Sequence, residues 1–135
     1  MHEPEALDIL SVTTTVGSPA AAKDLAGQIL AARLAACVQI DVGHTSLYRW
    51  KGELREEPEV RLVIKTLPGC EAALHALFDR HHPYELPQFL AHRMRASEAY
   101  AAWARAEIVL PASGAQDRTS PAGEPAPPTS PTTAA

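Results

Sequence analysis

Residues 36–66 read ACVQIDVGHTSLYRWKGELREEPEVRLVIKT, and how this stretch folds decides the architecture. From Ala36 to Val42 the side chains alternate. Ala36, Val38, Ile40 and Val42 share one face, and Cys37, Gln39 and Asp41 share the other, which is the two-residue period of a strand. The strand can run on through Ser46-Leu47-Tyr48-Arg49-Trp50. Lys51-Gly52 then supplies a tight turn, because glycine takes positive φ without steric cost. A third strand returns to Thr66, with Val60, Leu62 and Ile64 facing one way and Arg61, Val63 and Lys65 the other. Pro58 has no N–H to donate, so it predicts an edge or a bulge in the outer half of this hairpin, among Arg55, Glu56, Glu57 and Glu59.

Upstream, Leu7 to Thr14 (LDILSVTT) alternate in the same way and predict a strand. Ser18-Pro19 follows as an N-cap with proline at the first helical position. Ala22, Leu25, Ala26, Ile29 and Leu30 then mark one face of a helix ending near Leu34. Downstream, Pro68-Gly69 breaks the chain, and Cys70, Leu74, Leu77 and Phe78 form the stripe of a second helix that ends near His81. A short strand is expected from Gln88 to Met94. Ser97 caps a last helix expected to bury Tyr100, Trp103, Ala104 and Ile108. The order is β-α-β-β-α-β-α. With right-handed crossovers this predicts the α/β (α+β) class: a ferredoxin-like βαββαβ sandwich with an added C-terminal helix.

The hairpin is longer than two core strands require, and its outer half carries Leu47, Tyr48 and Trp50 away from the predicted core. A long exposed hairpin with large apolar side chains aggregates unless something covers it. The simplest cover is another copy of the chain, so a homo-oligomer is expected, with Tyr48 and Trp50 as interface packing.

Composition sets outer bounds. One domain is expected over residues 5–110. From Pro111 to Ala135 there is no Leu, Ile, Val or aromatic residue, so this tail is expected to be disordered. A net charge of -4 argues against a phosphate-backbone binder, and no nucleic-acid partner is expected. No run of residues is apolar enough to span a membrane, and the acidic start MHEPEALDIL lacks the basic region of a signal peptide. A cytoplasmic location follows as the expectation, with Cys37 and Cys70 as free thiols and Cys70 in the core.

The candidate chemistry is concentrated in His81-His82-Pro83-Tyr84-Glu85-Leu86-Pro87-Gln88. Pro83 pushes His82, and Pro87 pushes Leu86, into extended backbone, so the side chains point in fixed directions. One reading is a helix terminator with imidazoles at the negative end of the helix dipole. The other is a pocket between subunits lined by His82, Tyr84 and Glu85. Imidazole suits Cu(II), and thiolate or thioether suits Cu(I). Cys37, His82 and His92 are the candidate metal donors, but no CxxC or HxxxH spacing gathers them. Cys37 also shares a predicted sheet face with Lys65, and a lysine beside a thiol raises its reactivity. The acidic outer hairpin reads as a solvated face. An enzyme reading would use Tyr84 and Glu85 as acid and base and Lys65 to hold an anionic substrate. No glycine-rich phosphate loop or Ser-His-Asp arrangement stands out, so no residue is assigned as catalytic, and no organic cofactor is evident.

Arg33-Leu34-Ala35-Ala36-Cys37-Val38, Ser46-Leu47-Tyr48-Arg49-Trp50-Lys51-Gly52-Glu53, Val63-Ile64-Lys65-Thr66 and His82-Pro83-Tyr84-Glu85-Leu86-Pro87 come in the order and spacing of a known family. Through them the chain resembles the CutA divalent-cation tolerance family over roughly residues 7–109. The resemblance implies a ferredoxin-like subunit in a tight homotrimer, similar in plan to PII signalling proteins. It also implies tolerance of, and binding to, copper or another divalent cation. Two departures stand out. Gln88 replaces a common family glutamate, and Ala91-His92-Arg93-Met94 replaces an apolar, proline-containing run, which adds His92 as a candidate ligand. Three functions follow as expectations: a trimeric metal-response protein, a PII-like small-molecule sensor or interaction module with a pocket between subunits near Cys37, Lys65, Tyr84 and Glu85, and an enzyme using that pocket.

Overall fold

The computed structural model describes residues 7–112. Its elements are β1 (Asp8–Val16), α1 (Pro19–Ala31), β2 (Cys37–Trp50), β3 (Glu53–Thr66), a 3-10 turn (Pro68–Cys70), α2 (Glu71–His81), β4 (Leu90–Arg95) and α3 (Glu98–Glu107). The order matches the one expected. The tail from Pro111 lies outside the described residues, apart from Pro111 and Ala112. The four strands form one antiparallel sheet in the order β2-β3-β1-β4, the ferredoxin-like arrangement.

The core lies between one sheet face and two helices. From the sheet come Leu10, Val12 and Val16 of β1 and Val60, Leu62 and Ile64 of β3. From the helices come Ala22, Leu25, Ala26 and Ile29 of α1 and Leu74, Leu77 and Phe78 of α2. Burying each large aliphatic side chain here stabilises the fold by about 1.5–3 kcal/mol. Helix α1 begins as expected, with the Ser18 hydroxyl accepting from the Ala21 N–H at 3.1 Å and Pro19 in the first turn. It stops at Ala31, short of Leu34, because Arg33 takes a left-handed φ of 59°. The Leu34 N–H then reaches back to the Ile29 carbonyl at 3.2 Å, a Schellman-type closure.

The long hairpin is continuous. β2 pairs with β3 from Cys37 opposite Lys65 to Trp50 opposite Glu53. The turn between them has positive φ at Lys51 (50°) and Gly52 (81°), the primed geometry that matches strand twist. The bulge falls in β2, between Asp41 and His44, rather than at Pro58. Pro58 lies opposite Thr45, beyond the point where β1 stops pairing with β3 at Val16 opposite Val60. In its outer half β3 therefore has a strand on one side only, and a missing N–H disrupts no second ladder.

The last helix needs a correction. Tyr100 and Trp103 are 36% and 44% exposed and meet edge to face at 5.4 Å; the residues turned inward are Ala101 and Ala104. The helix lies against β1, where Ile9 and Ser11 are buried. Small side chains let the helix approach the sheet closely, so an alanine ridge is buried there instead of the aromatic stripe. Ile108 is buried as expected, but beyond the helix, with Leu67 and Cys70. Among the described residues, no helix is long and apolar enough to cross a membrane.

Candidate functional site

Pro83 has the local effect expected of it. His82 closes α2 in extended backbone (φ -74°, ψ 135°), with its N–H donating to the Phe78 carbonyl at 2.9 Å. The ring turns inward and is buried between Phe78 and Tyr84, with ring centroids 5.2 Å away on each side. Both ring nitrogens are engaged. The Tyr84 N–H donates to Nδ1 at 3.1 Å, so Nδ1 carries no proton. The neutral ring then keeps its proton on Nε2, which lies 2.9 Å from the Thr14 hydroxyl oxygen and donates to it. Burial pushes the His82 pKa down to about 4, against smaller upward pulls from a Thr15 backbone hydrogen bond and the Glu59 charge.

Tyr84 continues the network. Its hydroxyl donates to one Glu59 oxygen at 2.7 Å, and the Ser46 hydroxyl donates to the other at 2.8 Å. Burial raises the Tyr84 pKa, and the hydrogen bond to Glu59 raises it further. Burial also raises that of Tyr48, helped by the Glu57 charge and opposed by Arg55. Thr14, His82, Tyr84, Glu59 and Ser46 thus form one hydrogen-bonded chain from β1 through the connector to β3 and β2. Beside it, the Tyr48 hydroxyl and Arg55 Nε are buried with no hydrogen-bond partner among the described residues.

A second set of residues lies at the other end of the hairpin. The register places Cys37 opposite Lys65, Lys65 opposite Ser11, and Ser11 opposite His92, one row across all four strands. Cys37 is half-buried and His92 exposed. With strands about 4.8 Å apart, Cys37 and His92 stand about 14 Å from each other. Metal–ligand bonds of about 2.0–2.3 Å cannot bridge that gap within one chain. Among the described residues, no group of three or more His, Cys, Asp or Glu side chains is placed to hold a metal. His82 is not free to join such a group in this arrangement, since one of its nitrogens accepts and the other donates.

Nor does one chain gather the expected pocket. Lys65 and Glu59 are separated by about 20 Å along β3, at about 3.3 Å per residue, and Tyr84 is at the Glu59 end. Glu85 is exposed, while Tyr48 and Trp50 are half-buried on the hairpin, with the Lys51 ammonium 5.8 Å from the Trp50 ring. No local pattern in the sequence marks Thr14, Ser46 or Glu59 as partners of the connector. Glu59 sits in an acidic run that reads as solvated, and nothing local marks it as the acceptor for a tyrosine far along the chain.

The profile of the CutA1 divalent ion tolerance protein family matches residues 10–107. A divalent-cation tolerance protein CutA from Yersinia pestis (strain Pestoides F) is 36% identical over 113 residues, covering 81% of this chain and 95% of that protein. Among solved structures, the divalent cation tolerance protein (Cut A1) from Thermus thermophilus is 34% identical with a TM-score of 0.72, covering 75% of this chain and 99% of its own. CutA from Synechococcus elongatus PCC7942 is 35% identical with a TM-score of 0.73, covering 78% and 94%.

Proposed function

Since this chain belongs to the CutA1 divalent ion tolerance family, we propose that it acts as a cytoplasmic, homotrimeric divalent-cation tolerance protein that binds copper or another divalent cation between its subunits. The observation that carries this reading is the position of Cys37 and His92. They lie in one row of the sheet but on its two outer strands, β2 and β4, each of which has one edge with no strand neighbour among the described residues. Edge strands of different copies can bring together a thiol and an imidazole that one chain holds apart, and these donors suit copper in its two oxidation states. Exposed Leu47 (64%), Leu54 (67%) and Leu90 (59%) supply apolar surface for the same assembly.

Native mass spectrometry of protein purified without chelator, followed by Cu(II) addition, tests the reading. The expected result is a trimer taking up copper stoichiometrically, with uptake lost in Cys37→Ser and in His92→Ala. Weak, unsaturating uptake that ignores both substitutions would remove the metal site. A species other than a trimer would remove the assembly.

A second reading is supported by the unpartnered Tyr48 hydroxyl and Arg55 Nε, two buried donors that a ligand acceptor would satisfy. In this reading the protein is a PII-like small-molecule sensor, with Lys65 of one copy brought to Tyr84 and Glu85 of another. A metabolite retained through native purification would favour it. Turnover of that metabolite would make the protein an enzyme.

A further inference from the structure

We propose that His82 is an acid-sensitive latch that fastens the connector between α2 and β4 to the β2–β3 hairpin, and that protonation at Nδ1 opens it. This inference rests on the Thr14–His82–Tyr84–Glu59–Ser46 chain alone and is independent of the metal reading.

The latch depends on one lone pair. In the closed state Nδ1 accepts from the Tyr84 N–H at 3.1 Å, and that bond aligns Tyr84 so that its hydroxyl reaches Glu59 at 2.7 Å. A proton added to Nδ1 occupies the lone pair and sets one N–H against another. The charged ring would also sit largely buried between Phe78 and Tyr84, where a charge is costly. Few neighbouring groups offset this. From β1 come the Thr14 hydroxyl and the Thr15 backbone, which do not titrate; from α2 comes the Phe78 ring; from the connector comes Tyr84, whose phenol stays protonated. From β3 comes Glu59, whose charge favours the proton but is outweighed by burial.

The direction of the pH effect follows. Closed, the imidazole is held down at about 4; released into water, it returns to its ordinary 6.5. Above pH 6.5 neither state takes the proton and the closed-to-open ratio is constant. Between 6.5 and 4 only the open state takes it, so the ratio falls about tenfold per pH unit, and about 300-fold over the window.

Amide hydrogen exchange of the full chain, followed by NMR from pH 7.5 to 5 and corrected for intrinsic rates, reads the latch at the Tyr84 N–H. Protection is expected to be constant above pH 6.5 and to drop about 30-fold by pH 5. In His82→Asn the side-chain oxygen still accepts from the N–H two residues on but does not titrate, so protection is expected to stay flat. Glu59→Gln should keep the drop. A flat profile in the native chain, or an equal drop in His82→Asn, would overturn the proposal. So would ring nitrogen shifts that place the His82 proton on Nδ1 at pH 7, a measurement that needs no variant.

Discussion

The inner and outer halves of the β2–β3 hairpin share two strands and one ladder, yet different forces hold them. In the inner half, β3 lies between β2 and β1, and Val60, Leu62, Ile64 and Thr66 are at most 5% exposed. In the outer half β3 pairs on one side only, and Leu47 and Leu54 are 64% and 67% exposed. What fastens the outer half is the Tyr84 and Ser46 grip on Glu59, with two partly exposed Arg55 ion pairs to Glu53 and Glu57 at 3.9 Å that contribute little. The length of a ladder therefore does not measure its stability. Backbone hydrogen bonds replace bonds to water at small net gain, while apolar burial supplies the large term.

The contrast predicts a graded series. Leu62→Ala, at a fully buried site, is expected to cost about 3–4 kcal/mol in urea unfolding, whereas Leu54→Ala should stay within about 0.5 kcal/mol at the level of the single chain. Equal losses at matched concentration would show that the two halves are held by the same force. A Leu54 loss that grows with protein concentration and fades on dilution would locate the outer half in contact with another copy. Tyr84→Phe deletes one charge-assisted bond to Glu59, and about 1–2 kcal/mol should go, with exchange rising first in the outer strands. Gly52→Ala places a Cβ at φ 81° in the turn, and a loss near 1 kcal/mol, felt at the hairpin tip, is the expected result of thermal unfolding. Least of all, Arg33→Gly should raise stability by up to about 1 kcal/mol: φ 59° suits glycine, and the exposed pair with Glu107 at 3.7 Å contributes little. A loss there would show that the Arg33 side chain matters beyond that pair.

Much of this molecule is legible in its sequence where the cause is local. Ser18-Pro19 starts a helix because a hydroxyl and a ring meet the needs of its first turn. Lys51-Gly52 turns the hairpin because the second position accepts positive φ. The buried face of α3 is not legible in the same way, since periodicity finds a stripe but not the space it must enter; here Ala101 and Ala104 fit against β1 and Trp103 does not. Part of the candidate site is legible too. Pro83 implies a stiff His82-to-Tyr84 segment, but not the buried ring, its tautomer or its partners.

The element order, the caps, the turn and the alternation of β1, β2 and β3 follow from the sequence, because each depends on residues a few positions apart. Tertiary structure alone decided that Thr14 meets His82 across 68 positions and that Tyr84 meets Glu59 across 25. It also decided that Cys37 and His92 share a row yet stand three strands apart. Those meetings depend on strand order, on register and on the β2 bulge. These emerge only when the whole sheet packs against its helices, since the energies that select them come from burial shared across distant segments.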